Sequence, residues 1–543
     1  MSLESEILRR RTFAIVSHPD AGKTTITEKF LWFGGAIREA GHVRAKTGKK
    51  FTTSDWMKIE QQRGISVSSS VLSFPYGGCQ INLVDTPGHQ DFSEDTYRAL
   101  TAVDSALVLI DSAKGVEVQT MKLMEVCRMR KTPITVFMNK MDRDALDPLA
   151  LMDEVERVLG VQCAPRTLPI GNGKAFQGVY SFIDDTVHLF RPDEADDETP
   201  QDAVAAAPSA QGNIRKVSGI HDPKLDEWFD AKYLKEFRDQ AELALGAMPE
   251  FDREKYLRGE QAPVYFGSGI SNFGVKHLLD SFVAVAPSPM PREAKERVVQ
   301  ATEEKFTGFV FKIQANTDPK HRDRIAFVRI CSGKFERGGR VTHVRTGRPV
   351  RLAAPTSMMA NDREVLETAY AGDIIGIHDP GLYSISDTLS ETEILNFQGI
   401  PDFAPEHFSK VYLTDPLKSK QLQQGLRQLS EEGATQLFYP LSGPIPVLGV
   451  VGVLQFDVIK FRIEEEYGAK CRFEGANIWQ ARWVAADADA QSAADLAAFR
   501  AEHMFDLAND KAGNLVYLCP NEFRLQTVEK NYPKLRFEKF HVG

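Results

Sequence analysis

The chain has 543 residues, 42% hydrophobic and 26% charged, which excludes global disorder. Its formal net charge of −9 excludes a generally basic nucleic-acid coat protein, although not a local basic patch. At about 150 residues per domain, the length corresponds to roughly three or four domains. From the N-terminus, the short runs FAIVS (13–17), INLVD (81–85), SALVLI (105–110) and ITVFMN (134–139) are apolar on both faces, as central parallel strands are. Between them, Val116–Arg130 places Val116, Met121, Leu123, Met124, Val126 and Cys127 at helical spacing. This alternation predicts a doubly wound, mostly parallel α/β sheet.

A first domain is expected over 1–286, interrupted by a helical insertion at about 160–262. Within the insertion, 193–212 is acidic and then Ala-rich, and reads as an exposed loop. Residues 223–257 read as surface helices with Trp228, Phe229, Tyr233, Leu234 and Phe237 on the apolar face. VYFGS (264–268) returns to the first domain as a strand. Pro287, Pro289 and Pro291 mark a linker. The runs FTGFVFKI, RIAFVRICSG and DIIGI then predict a small antiparallel β-barrel over 300–392. Pro401 and Pro405 mark a second boundary, before an α+β domain over 400–543. There Asp415-Pro416 opens a helix carrying Leu422, Leu426 and Leu429 and closing near Gly433. A second helix near 453–466 aligns Leu454, Val458 and Phe461.

The six cysteines (Cys79, Cys127, Cys163, Cys331, Cys471 and Cys519) form no CxxC pair, so buried reduced thiols are expected. The opening MSLESEILRRRTF lacks an apolar leader, and no apolar stretch approaches the roughly 20 residues of a membrane span. A soluble, cytoplasmic protein is the expectation. The final segment, 521–543, is only slightly basic and reads as a solvated face.

Three strand ends carry chemistry. Ser17-His18-Pro19-Asp20-Ala21-Gly22-Lys23-Thr24 follows the first strand and opens a helix that continues with Thr25. Backbone N–H groups of such a loop wrap phosphates, the lysine reaches the β- and γ-phosphates, and Thr24 can ligate Mg²⁺. Ser17 stands where the first glycine of the phosphate-loop pattern is usual, so the turn must accept a Cβ. Asp85-Thr86-Pro87-Gly88-His89 follows the INLVD strand. Asp85 there can hold Mg²⁺ through water, and Gly88 can present its N–H to a γ-phosphate. Asn139-Lys140-Met141-Asp142 closes a third strand. The Asp142 carboxylate can accept from guanine N1–H and N2, a donor pair that adenine lacks, with about 1–3 kcal/mol at stake. Asn139 can bond the purine edge or tie neighbouring loops, and the Lys140 stem can cover the base or ribose. Ser268 and Gly269 offer backbone N–H groups to guanine O6, or form an ordinary turn. Between the first two motifs, Gln61-Gln62-Arg63-Gly64-Ile65-Ser66 reads as a switch in which Ser66 binds Mg²⁺ in one state, or as a plain loop.

These motifs, in this order, resemble those of the translational GTPases: SHPDAGKT, RGIS, DTPGH, NKMD and GSG. The resemblance spans essentially the whole chain, through the expected barrel to LTDPLKSKQLQQGLRQL and PVLGVVGVLQFDVIKFRIEEEYGA. Within that family the SHPD loop, SDWM (54–57) before QQRGIS, and an expected end after the third domain are similar to the release factor 3 subfamily. What the resemblance implies is a ribosome-stimulated GTPase of termination. It would use GTP, GDP and Mg²⁺, and would eject class I, stop-codon-reading release factors from the ribosome after peptide release. His89 matches the family's water-positioning histidine, flanked by Ile65 and Pro19. Arg63 is the nearest arginine to a finger position. The remaining expectations are a monomer without membrane or DNA partners, and a site that guanosine tetraphosphate could also enter. Rival readings are an elongation- or translocation-type factor, a GTPase regulatory subunit of a metabolic nucleotidyl-transferase, and a binding module with a dead nucleotide site.

Overall fold

The computed structural model describes residues 2–37, 59–60, 65–190, 213–315, 324–352, 356–359, 362–398, 404–487 and 489–539, with backbone alone for the strands within 353–365. SDWM (54–57), Arg63, the 193–212 loop and Pro401 lie outside the described residues. The chain divides into two compact units. The first comprises Met1–Phe309, Val328–Ile377 and Thr388–Gln398; the second comprises Val310–Phe327, His378–Asp387 and Gly399–Gly543.

The first unit is built on β1 (Arg10–Ser17), α1 (Lys23–Phe33), β2 (Ser70–Tyr76), β3 (Cys79–Asp85), α2 (Ser93–Ala102) and β4 (Ser105–Asp111). It continues through α3 (Val118–Met129), β5 (Ile134–Asn139), α4 (Pro148–Leu159), β6 (Gln162–Pro165), β7 (Gln261–Phe266) and α5 (Val275–Val285). Strand order is β2-β3-β1-β4-β5-β7-β6. All neighbours run parallel except β2, which pairs antiparallel with β3. Alternation of side chains sends Phe13, Ile15, Leu107, Leu109, Phe137 and Tyr265 to one face, where they pack with Phe30 of α1 and Phe282 of α5. Helices α2, α3 and α4 pack in series, with α2 and α3 against β1. Every residue of β4 and β5 is buried, which explains their largely apolar sequence.

Two details depart from the sequence reading. The insertion is not simply helical. Its strands Thr167–Ile170, Gly178–Ser181, Thr186–Leu189 and Ile214–Lys216 form an antiparallel sheet. They are only three or four residues long, too short for a clear periodicity. The insertion also begins after β6, because Gln162–Pro165 pairs with β7 in the main sheet. The helix Ala231–Ala247 buries Leu234, Phe237, Ala241 and Ala244, while Trp228 and Tyr233 are only half-buried. The β-rich part of this unit is antiparallel, for example Arg340–His343 with Arg348–Arg351 and with Thr388–Ser390.

The second unit carries an eight-stranded sheet whose eight strands lie between His407 and Glu538, with the described pairs antiparallel. The Asp415 carboxylate accepts the Leu417 N–H at 3.0 Å, opening a turn that leads into the helix Ser419–Glu431. Leu422, Leu426 and Leu429 share one core with Ile459 and Ile463. In the helix Leu454–Tyr467 the buried face is Gln455, Val458, Ile459, Arg462 and Ile463, so Leu454 and Phe461 are only half-buried. The face is offset because Arg462 turns inward to Glu432 and Glu466, each at 2.6 Å. The doubly wound sheet, the β-rich part and the α+β part are thus all present. Five cysteines are buried, Cys79 is half-buried and all six are free. No helix among the described residues is long and apolar enough to cross a membrane.

Candidate nucleotide-binding site

The C-terminal ends of parallel strands are where an open α/β sheet binds ligands, and the motif loops converge there. After β1, the Ser17 hydroxyl donates to the His18 carbonyl at 2.8 Å, and Ala21 N–H donates to the same oxygen at 3.4 Å. Ser17 remains in strand conformation, so its Cβ costs the turn nothing. The left-handed residues are Asp20 (φ +64°) and Gly22 (φ +97°), and Gly22 caps α1. A Cβ on Gly22 would lie 2.4 Å from Asn139 Nδ2, which is why glycine stands there.

One cleft of about 480 Å³ is lined by Ser17, His18, Pro19, Asp20, Gly22, Lys23, Thr24 and Thr25, by Ile65 and Ser66, by Gly88 and His89, and by Asn139 and Lys140. The first three motifs and the switch residues therefore meet. Gly88 lies against the phosphate loop: a Cβ there would sit 3.0 Å from Lys23 Nζ and 3.5 Å from Pro19 Cα. Ile65, Pro19 and His89 face the same space. Asp85 is buried at the end of β3. The Thr86 hydroxyl donates to the Ile15 carbonyl at 2.8 Å, and the Pro87 carbonyl accepts from Thr96 at 3.1 Å. Thr86 and Pro87 anchor the loop, and neither they nor Asp85, Asp142, Ser268 and Gly269 are part of the cleft lining.

Asn139 ties loops together. Its Nδ2 donates to the Ala21 carbonyl at 2.7 Å, and its Oδ1 accepts the Gly269 N–H at 2.8 Å. The Ser268 N–H is likewise engaged, with the Phe273 carbonyl at 3.0 Å, and the Ser268 hydroxyl donates to Asp142. Ser268 and Gly269 thus spend these N–H groups inside the protein, and the Ser268 hydroxyl positions Asp142. Lys140, at φ +70°, extends to Asp111 with Nζ 2.7 Å from Oδ2. Burial raises the Asp111 carboxyl, but the Lys140 ammonium and the Ala113 N–H outweigh it, so it stays charged below its ordinary range. Asp111, Lys114, Arg143 and Ile270 also line the cleft and were missed from the sequence. Asp111 ends β4 beside Asn139 in register, and a strand-end carboxylate was the available signal.

His18 is buried, and that burial lowers its pKa below the ordinary histidine value against the opposing pull of Glu117, 3.9 Å away. His89 is partly open; its Nδ1 lies 3.3 Å from the Asp91 N–H and 3.2 Å from Asp91 Oδ1. The oxygens of Thr24, Ser66 and Asp85 are hard donors of the kind Mg²⁺ takes. No cluster of three His, Cys, Asp or Glu able to hold a metal by itself occurs among the described residues. That donor set fits a Mg²⁺ ion held jointly with nucleotide phosphates.

The model of the elongation factor Tu GTP binding domain matches residues 8–288, more than half the chain. The chain belongs to the translational GTPases. The β-rich part of this GTPase matches elongation factor G domain 2 over residues 305–392. Its α+β part matches the class II release factor RF3 C-terminal domain over 397–529. Among translational GTPases it is therefore most like release factor 3. A solved structure from Thermus thermophilus superposes with a TM-score of 0.68 at 23% identity, covering 88% of this chain and 71% of that one, and shares the fold.

Proposed function

We propose that this translational GTPase acts in termination: in its GTP form it engages the ribosome and promotes departure of class I release factors after peptide release, and hydrolysis then frees it. The observation that carries this reading is the release factor C-terminal match on the same chain as an intact nucleotide cleft. Lys23 would bind the β- and γ-phosphates, and Thr24, Ser66 and Asp85 would hold Mg²⁺, which when bound neutralises phosphate charge. Asp142, oriented by Ser268, would select guanine. His89 would orient the attacking water. Its Nδ1 accepts the Asp91 N–H at 3.3 Å, which leaves Nε2 for that water, and a ribosomal partner would fix the aim of the half-open ring.

The test is multiple-turnover GTP hydrolysis by the chain alone, with vacant ribosomes, and with post-release ribosomes carrying a labelled class I factor. The expected result is slow turnover alone, stimulation of at least about tenfold by ribosomes, and GTP-dependent loss of the label. Stimulation without loss of label would instead favour an elongation- or translocation-type role. No stimulation at all would sink the ribosomal reading.

A further inference from the structure

Helix α2 begins four residues after His89, and its far end is held by an arginine from beyond the parallel sheet. Arg292 donates from Nη1 to the Thr101 carbonyl at 2.9 Å, and from Nη2 to the Val103 carbonyl at 2.6 Å and Asp104 Oδ1 at 2.9 Å. The Met290 N–H also donates to Oδ1, at 3.2 Å. Asp104 Oδ2 accepts from Nη2 of Arg329, in the β-rich part, at 2.6 Å. Nη1 of Arg329 continues to the Gly372 carbonyl at 2.7 Å, and the hydroxyl of Thr12 in β1 donates to that same oxygen at 2.6 Å.

Asp104, Arg292 and Arg329 are 3%, 9% and 1% exposed, so the seam is buried. Two guanidiniums bond one carboxylate, and Nη2 of a third arginine, Arg130, also reaches the Thr101 carbonyl at 3.5 Å. The surplus positive charge is met by the Thr101 and Val103 carbonyls, at the negative end of the α2 dipole. Buried charge is costly once its partners leave, and a buried ion network is more a device for fixing geometry than for adding stability. If α2 shifted at its Thr101 end, Arg292 would have to move with it or lose two acceptors in a low-dielectric seam. The planar guanidinium grips carbonyls and carboxylate together, which a lysine ammonium does not do.

We propose that Arg292 is a positioning residue that couples helix α2, and with it the His89 loop, to strand residues 328–332 and the 370–373 turn of the β-rich part, through Asp104 and Arg329. This rests on the reading of the cleft as a nucleotide site whose occupancy moves the 85–92 loop.

The test is hydrogen exchange by mass spectrometry on the full chain with GDP and with a non-hydrolysable GTP analogue, alongside titration of both nucleotides. In the unmodified protein, peptides over 93–104, 328–333 and 368–377 should all exchange differently between the two nucleotides. In Arg292→Met the difference should persist over 93–104 and be lost over 328–333 and 368–377, with both nucleotides bound as before. Arg292→Lys, which keeps the charge and loses the fork, should behave the same way and carries the test should the methionine variant not fold. A difference that survives at 368–377 in either variant overturns the coupling, as does its absence there in the unmodified protein. Failure to bind either nucleotide overturns the reading of the cleft instead.

Discussion

Asn139 Nδ2 lies 2.7 Å from the Ala21 carbonyl, so a residue of the third motif holds the loop of the first. The same side chain takes the Gly269 N–H at 2.8 Å. Asn139→Ala leaves both partners without their bond, at about 1–3 kcal/mol for each buried group. Nucleotide affinity should fall by one to two orders of magnitude in a fluorescent GDP titration. Gly22→Ala should weaken it as well, because a Cβ meets Asn139 Nδ2 at 2.4 Å and φ is +97°. Unchanged affinity in both variants would show that the loops do not need this tie.

Guanine selection should reside in Asp142. The Ser268 hydroxyl donates to one of its oxygens and fixes the plane of the carboxylate. Asp142→Asn replaces an acceptor by a donor, which suits a base with a carbonyl where guanine has its amino group. Competition titrations should show GTP weakened by about 1–3 kcal/mol and xanthosine triphosphate strengthened. An unaltered preference for GTP would assign base recognition to another residue.

His89→Ala should keep GTP binding, because on this reading the Ser17–Thr24 loop, and not this ring, would wrap the phosphates. Ribosome-stimulated turnover should be lost, since the water would have no positioned partner. Single-turnover hydrolysis on ribosomes measures this directly. A stimulated rate equal to that of the unmodified protein would remove His89 from the chemistry.

Much of this was legible because β1, β3 and β5 are central strands. Both faces are largely buried, so their sequences are mostly apolar, and Ser17, Asp85 and Asn139 stand at their ends where ligands bind. Strand β2 was not legible: it lies outside the parallel set, and its sequence SVLSFPY breaks the run with Ser73 and Pro75. Asp111 escaped because it belongs to no motif; its place became visible only once β4 was in register beside β5. The buried face of the helix Leu454–Tyr467 is offset from its apolar stripe, because hydrophobicity cannot announce an arginine buried against Glu432.

That arginine sets up a test of stability. Burial raises the Glu432 carboxyl above its ordinary range although Arg462 opposes it, and the Ala315 N–H also donates to Glu432, at 3.0 Å. Arg462→Met would strand Glu432 in the interior, at about 3–5 kcal/mol. Because a raised carboxyl favours the protonated folded form, the loss should be smaller in mild acid and grow as pH rises. Denaturant midpoints of the transition reporting on the second unit, measured across pH, give the comparison. A loss independent of pH would mean that Glu432 is not the stranded charge.

His188 supplies a second dependence on pH, of opposite sign. Its ring centroid lies 4.6 Å from that of His277. Burial, aided by His277 and opposed by Asp184, lowers its pKa to about 4. Thr186 Oγ1 is 3.4 Å from Nε2, within reach of the neutral ring. Since the folded value lies below the unfolded one, this contribution is complete above the unfolded pKa of about 6.5. It is lost as pH falls toward 4, because the unfolded chain takes the proton first. At pH 5 the loss should be about 2 kcal/mol relative to pH 7. His188→Gln cannot take that proton, so its stability should fall less between pH 7 and pH 5 than that of the unmodified protein. Denaturant unfolding of both proteins at the two pH values isolates the difference, and equal losses would show that His188 is already solvated and free to protonate in the folded chain.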